Sequence, residues 1–210
     1  MNIALLGPSG VGKGTHATQL AERFNLQHVA TGDLFRHHVQ TRSVLGRIAQ
    51  KYMAQAELVP DEVVEAMVEE WGDALPADQG ALFDGFPRTP DQVRFLDDLL
   101  HRLGRELTAV VYLKAPDEEI VRRLAGRLIC RDCQASHHTQ FHPPGKPGRC
   151  DHCGGELYSR PDDAMELAQT RLRIFHRTTE QVLRHYAAAG KVVIVPGDGS
   201  MAGVADALTA

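Results

Sequence analysis

The chain has 210 residues, a formal net charge of −4, 43% hydrophobic and 24% charged residues, values ordinary for a soluble globular protein. That length suits one domain with insertions, or one domain and a small satellite. The mild acidity excludes a general electrostatic pull toward nucleic acid or anionic membrane, so anion-binding charge has to be concentrated locally.

No apolar run approaches the ~18 residues of a membrane span. The N-terminus enters the first strand directly, and the expectation is a chain without a signal peptide. All four cysteines fall between Cys130 and Cys153, a clustering that fits a metal site in a reducing cytoplasm better than disulfides.

In chain order, Ile3-Ala4-Leu5-Leu6 predicts a buried strand, and Ala17, Leu20, Ala21 and Phe24 predict a helix. Between them lies Gly7-Pro8-Ser9-Gly10-Val11-Gly12-Lys13-Gly14-Thr15. Strand, glycine-rich turn and helix form the context of a phosphate-binding loop. Glycines let the backbone aim several N–H groups at one anion, and the helix N-terminus adds its positive dipole end. Lys13 supplies a mobile cation for the outer phosphates, and Thr15 the hydroxyl nearest an expected Mg²⁺ position. Gly14 separates the lysine from the threonine, where the strict pattern has none.

Gln27-His28-Val29-Ala30 reads as a second strand, followed by a helix with Thr31 as cap and Asp33 in its first turn. Ser43 is expected to cap another helix. Residues 31–59 then form a pair of helices with a thin apolar stripe, an inserted small subdomain. His37 and His38 read as solvated. Pro60, at a first helical position, opens a helix through Val63, Val64, Met67, Val68 and Trp71, with Trp71 as a packing residue.

Ala81-Leu82-Phe83-Asp84 predicts a buried strand ending in an acid, and Gly85-Phe86-Pro87-Arg88 a loop beyond it. Thr89-Pro90-Asp91 starts a helix stopped by Gly104. Residues 108–113 form a central strand, and Pro116-Asp117 opens a helix with arginines near its end. The cysteine segment follows. Asp162-Asp163 is expected to begin a long helix ended by Gly190, residues 191–195 the last strand, and Pro196 to Ser200 a turn into a short helix.

Five strands alternating with helices predict an α/β fold, a five-stranded parallel sheet with helices on both faces. Ligands of such sheets sit beyond the carboxyl ends of the strands. The loop, Thr31, Asp84 and Gly199 should therefore share one cleft.

Cys130-x2-Cys133-x16-Cys150-x2-Cys153 has the spacing of a four-thiolate zinc site. Such a site has no open position, so its metal is structural. His137, His138, His142 and His152 share the segment, but the paired cysteines already fill the site. The segment carries Arg131, Lys146 and Arg149 against Asp132 and Asp151, without a basic aromatic stripe, so nucleic-acid binding is disfavoured. A docking surface for a partner protein stays open. Arg36, Arg88, Arg123, Arg127, Arg160 and Arg171 all fall at element ends or in loops around the expected cleft. Phosphoryl transfer needs positive charge around the moving group.

With these residues in place, the chain resembles the adenylate kinase family. The resemblance rests on Gly7 to Thr15, Thr31-Gly32-Asp33-Leu34-Phe35-Arg36, Asp84-Gly85-Phe86-Pro87-Arg88 and Arg160-Pro161-Asp162-Asp163, in the family's order and spacing. The cysteine insert looks like the zinc-bearing lid of the family's long form, and Gly14 is the family's own version of the loop.

The resemblance implies a P-loop kinase fold: a core of residues 1–30, 60–126 and 161–210, an AMP-binding insert of residues 31–59, and a lid of residues 127–160. It implies transfer between MgATP and AMP to give two ADP, in a cytoplasmic monomer that binds neither nucleic acid nor membrane. ATP would be held by Gly10, Val11, Gly12, Lys13, Gly14, Thr15, Arg123 and Arg127, with Gly199 and Met201 by its base. Met201 stands where the family often has lysine.

AMP would be held by Thr31, Arg36, Glu57, Leu58, Val59, Gly85, Arg88 and Gln92, with Arg160 and Arg171 reaching both nucleotides. Lys13, Arg88, Arg123, Arg127, Arg160 and Arg171 would be catalytic, and Asp84 would anchor Mg²⁺-bound water. Cys130, Cys133, Cys150 and Cys153 would hold Zn²⁺. A UMP/CMP kinase is the near alternative, but it usually has a short lid; a P-loop switch gripping nucleic acid is the distant one.

Overall fold

The structure, a computed structural model, describes residues 1–160 and 163–209. Its main sheet holds β1 (Asn2–Leu6), β2 (Leu26–Ala30), β3 (Gly80–Asp84), β4 (Ala109–Lys114) and β8 (Val192–Pro196), all parallel, in the order β2-β3-β1-β4-β8. β1 is the middle strand, between β3 and β4. Its residues alternate between two apolar clusters: Ala4 and Leu6 face one, Ile3 and Leu5 the other. The period of two, with both faces apolar, is why a near-continuous hydrophobic run makes a central parallel strand.

On one face pack α4 (Asp61–Asp73), α5 (Pro90–Arg102) and the C-terminal half of α7 (Met165–Ala188), through Val64, Met67, Val68, Leu96, Leu99, Val182 and Tyr186. The other face is covered by α1 (Lys13–Phe24), α6 (Asp117–Ala125), α8 (Met201–Thr209) and the N-terminal half of α7, through Ala17, Leu20, Ile120, Leu124, Leu172 and Val204. Trp71 packs edge-on against Phe83, ring centroids 5.7 Å apart, as a core residue should.

Two departures stand out from the elements expected. The helix α2 (Thr31–Gln40) starts directly from β2, with Ala30 at the capping position and no side-chain cap, so Thr31 is not the cap. The long helix begins at Met165 rather than at the acidic pair; Asp163 precedes it, and Asp162, like Pro161, lies outside the described residues. Ser43 does cap α3 (Val44–Met53), accepting from the Gly46 N–H at 2.9 Å. His38 is half-buried rather than solvated, and its Nδ1 lies 2.9 Å from the same serine hydroxyl.

Between α6 and α7 the chain builds a second, antiparallel sheet from β5 (Arg127–Cys130), β6 (Ser136–His138) and β7 (Leu157–Tyr158), in the order β6-β5-β7. Its core is small: Cys130, Cys150 and Leu157. Three residues make no hydrophobic core of useful size, so a segment this short depends on something besides burial. No helix among the described residues is long and apolar enough to cross a membrane.

Candidate active site and metal centre

The phosphate loop leaves the carboxyl end of β1. Gly10 takes φ +93, and a Cβ there would stand 2.7 Å from the Leu124 side chain, so only glycine lets the loop lie against α6. Gly12, also left-handed, occupies the position before α1. Lys13 is buried, and its ammonium donates to the Gly7 and Pro8 carbonyls at 2.8 and 2.9 Å. Burial pulls its pKa down to about 7; the Asp84 carboxylate opposes this, while Arg88, Arg171 and Arg127 reinforce it. Asp84 closes β3 beside the start of α1: a Cβ on Gly14 would be 3.9 Å from its Oδ2. His28 on β2 lies 3.5 Å from the same carboxylate oxygen.

A cleft opens from the loop across the ends of β2 and β3. Ser9, Thr31, Arg36, Gly85, Arg88 and Arg171 line it. Glu57, Leu58 and Val59 form its far wall, and Phe35, Phe86 and Phe175 make it partly apolar. Thr31 is 4% exposed, and its hydroxyl is not consumed as a helix cap.

Arg88 donates from Nε to the Gly85 carbonyl at 2.7 Å, and its own N–H goes to Gln92 Oε1 at 2.8 Å. Burial, with Arg171 nearby, lowers its pKa to about 10, Asp84 opposing, so the guanidinium stays charged at neutral pH. Gln92 also lines the cleft, but its amide is committed: Nε2 donates to Asp61 Oδ1 at 2.7 Å, and Thr89 Oγ1 donates to Asp61 Oδ2 at 2.6 Å. The amide expected to read a ligand also holds the backbone of Arg88.

Arg123, Arg127 and Arg171 are held by carboxylates that the sequence reading did not single out for this task. Arg127 makes a two-pronged pair with Asp163, Nε to Oδ2 at 2.7 Å, and Arg171 lies 3.6 Å from the same carboxylate. Arg171 also donates to Ser9 Oγ at 2.7 Å, tying α7 to the phosphate loop. Arg123 is paired with Glu119 one turn earlier at 2.7 Å and donates to the Gly197 carbonyl at 2.7 Å, bridging α6 to the loop after β8. The i, i+4 spacing of Glu119 and Arg123 was a readable signal; the partnership of Asp163 with two distant arginines was not.

Arg123, Arg127, Arg160, Gly199 and Met201 do not line the cleft that gathers Thr31, Arg36, Arg88 and Arg171. Met201 is 55% exposed at the first position of α8.

The four cysteines come together, their sulfurs all within 4.8 Å of one another, with Cys130 and Cys153 at 3.4 Å and Cys133 and Cys150 at 3.6 Å. None is in a disulfide. Four thiolates on one tetrahedral Zn²⁺, with Zn–S of about 2.3 Å, stand about 3.8 Å apart. The donor set and spacing therefore fit that ion. Among the described residues this is the one group of acidic, cysteine or histidine side chains with ligand atoms so closely gathered.

A parallel sheet bearing a phosphate loop, with an arginine-lined acceptor cleft beside it and a cysteine-built insert above, defines a P-loop phosphotransferase of the nucleoside monophosphate kinase class. The family model described as adenylate kinase matches residues 5–191. The chain is 44% identical over 201 residues to the adenylate kinase of Symbiobacterium thermophilum, covering 96% of this chain and 93% of that one. It is 45% identical over 201 residues to the adenylate kinase of Streptomyces coelicolor, covering 95% and 92%. It is 41% identical over 209 residues to the adenylate kinase of Methanothrix thermoacetophila, covering 100% and 97%. The chain belongs to the adenylate kinase family.

Proposed function

We infer that the protein transfers the γ-phosphoryl group of MgATP to AMP, reversibly, giving two ADP and balancing the adenine nucleotide pool. The observation that carries this is the cleft itself: an acceptor pocket walled by Thr31, Arg36 and residues 57–59 opens onto Arg88 and Arg171 beside Lys13.

An α-phosphate oxygen of AMP attacks the γ-phosphorus, and the bond to the β,γ-bridging oxygen of ATP breaks, so one ADP forms on each side. The nucleophile is an anion at neutral pH, and no general base is required. The protein's task is to align two polyanions and neutralise the charge between them. Lys13 and the N–H groups of residues 10–15 hold the ATP phosphates. Arg88 and Arg171 stand between donor and acceptor, where their charge follows the moving group. Arg123, Arg127 and Arg160 close in from the lid side. Asp84, beside Thr15, would anchor the water shell of the Mg²⁺ that accompanies ATP, an ion that would supply charge to offset that of the phosphates. Gly85 and Gln92 shape the AMP side, Gln92 through its hold on Arg88, and Gly199 and Met201 border the ATP base.

In this reading residues 31–59 are the AMP-binding insert, residues 127–160 the lid, and the rest the core. Zinc on Cys130, Cys133, Cys150 and Cys153 replaces the hydrophobic core the lid lacks. The protein acts as a cytoplasmic monomer, with ATP, AMP and ADP as its partners. Coupled assays of ATP with AMP, UMP, CMP and GMP separately test the assignment. AMP should be strongly preferred; a comparable kcat/KM with UMP would move the chain to the pyrimidine nucleotide kinases.

A further inference from the structure

The lid carries a second set of metal-ligating side chains that the zinc site does not use. His137, on β6, is 2% exposed, its ring wholly enclosed, and neither ring nitrogen has a hydrogen-bond partner. The His142 ring stacks on it, centroids 5.2 Å apart, and the His152 ring lies 6.0 Å away. Asp151 Oδ2 is 3.7 Å from His137 Nδ1, while Asp151 Oδ1 accepts the Gly145 N–H at 3.0 Å, which leaves the other oxygen aimed at the imidazole. His138, the next residue, is not part of this group: its Nδ1 accepts the N–H groups of Gln140 and Phe141 and closes the turn. That turn, through the His138 N–H donated to the His142 carbonyl, is what sets His142 over His137.

We propose that His137, His142 and His152, with Asp151, form a second lid site for a divalent transition-metal ion, separate from the four-cysteine centre. An enclosed imidazole with two unmet nitrogens carries an uncompensated desolvation cost at each. Coordination satisfies one nitrogen, and Asp151 is placed to take the proton of the other, the usual support for a ligating histidine. Two imidazoles on one tetrahedral ion have ring centroids about 5 Å apart, given metal–nitrogen distances of about 2.0–2.1 Å. The His137–His142 separation of 5.2 Å already matches, and His152, at 6.0 Å, has to come closer.

The rings are stacked rather than converged, so the ion requires rotation of His142 and His152. Both are exposed and free of a dense surround. Burial holds the His137 pKa below its usual value, reinforced by His142 and His152 and opposed by Asp151, so the ring is in its neutral, ligating form. The three-nitrogen donor set selects borderline ions such as Zn²⁺, Co²⁺ or Ni²⁺ over Mg²⁺. Such an ion links the turn after β6 to the knuckle at residues 150–153. It therefore stiffens the lid when transition metal is abundant.

The test uses full-length protein carrying one equivalent of zinc, titrated with Co²⁺. A second equivalent should bind, giving d–d absorption without a sulfur-to-cobalt charge-transfer band, and should raise the melting temperature. His142→Asn with His152→Asn should keep the first zinc and melt as before without cobalt, yet bind Co²⁺ more than about 100-fold more weakly, since even outer-shell losses cost about 10–100-fold. His152→Asn alone serves if the pair does not fold. His37→Asn with His38→Asn should bind cobalt normally. Absence of a second equivalent, a thiolate charge-transfer band, or binding that survives loss of the lid histidines would each overturn the proposal.

Discussion

At the scale of single residues the site is a balance of charge brought too close together for water to separate. Burial lowers the proton affinity of Lys13 and of Arg88, the Arg171 charge adds to this at both and Arg88 adds to it at Lys13, and Asp84 opposes. For Lys13 the consequence has a sign. Its free pKa is about 7, below that of an exposed lysine, so the ammonium is complete below that pH and is progressively lost above it. Bound polyphosphate favours the charged form and raises the pKa. ATP binding should then take up nearly one proton at pH 8 and little at pH 6 from this group. Calorimetry in buffers of different ionisation enthalpy measures it; uptake that does not change with pH would mean that the Gly7 and Pro8 carbonyls keep Lys13 charged throughout.

Arg88 makes a sharper case. Removing one such donor costs about 10²–10³ in kcat, so Arg88→Ala should fall by that much. Arg88→Lys should recover little, because an ammonium cannot satisfy the Gly85 carbonyl and a phosphate in one planar fork. A change confined to the KM for AMP would reduce Arg88 to a binding residue.

Elements matter here by how they hand such side chains to the cleft. Near the cleft α4 and α5 are linked by a carboxylate, Asp61, which takes hydrogen bonds from both the Thr89 cap and Gln92, and Gln92 in turn holds the Arg88 N–H. Asp61→Ala leaves the buried Gln92 amide unmet, which costs about 1–3 kcal/mol. Urea unfolding should show that loss. The kcat should also fall with KM for ATP unchanged, because the arginine loop loses its support; unchanged kcat would confine Asp61 to stability. The loop between β1 and α1 is just as tightly held. Gly10→Ala requires a left-handed alanine, about 1–2 kcal/mol, and drives its Cβ into Leu124 and toward the Ile120 carbonyl. Overpacking adds about 1–3 kcal/mol. The variant should be less stable and should lose ATP affinity before AMP affinity, since the residues of the AMP wall lie on other elements.

Over the whole molecule, stability is divided between a large two-faced core and a small one built around four cysteines. Structural zinc is worth about 10–16 kcal/mol in isolated fingers, but on these four cysteines it would organise only β5, β6, β7 and their turns. Replacing Cys130 and Cys133 by serine should abolish zinc, measured by elemental analysis, and lower the melting temperature by less than a fully coupled finger would. Activity should drop, because Arg127 opens β5 and Arg160 follows β7. AMP affinity should stay nearly intact, because Thr31, Arg36 and residues 57–59 are anchored to the main sheet. A variant that retains one zinc would show the ligands to be wrong. One that loses zinc, melts unchanged and is inactive would make the metal catalytic.

Much of this molecule was written in local sequence. The apolar run before Gly7 and the pairs at Cys130 and Cys150 depend only on near neighbours and backbone conformation, so the five main-sheet strands, the phosphate loop and the cysteine pairs were legible without a fold, whereas the short strands β5, β6 and β7 were not. The strand order was not, because β3 inserts between β1 and β2, a pairing across some 80 residues that no local pattern encodes. Thr31 looked like a cap and is instead a free hydroxyl in the cleft, because β2 runs unbroken into α2. Asp61, Asp163 and the orphaned imidazole of His137 gained their meaning only from chains of contact across distant elements. A side chain's type fixes what it is able to donate or accept. Which partner it meets, and whether it meets any, is decided where the folded chain excludes water.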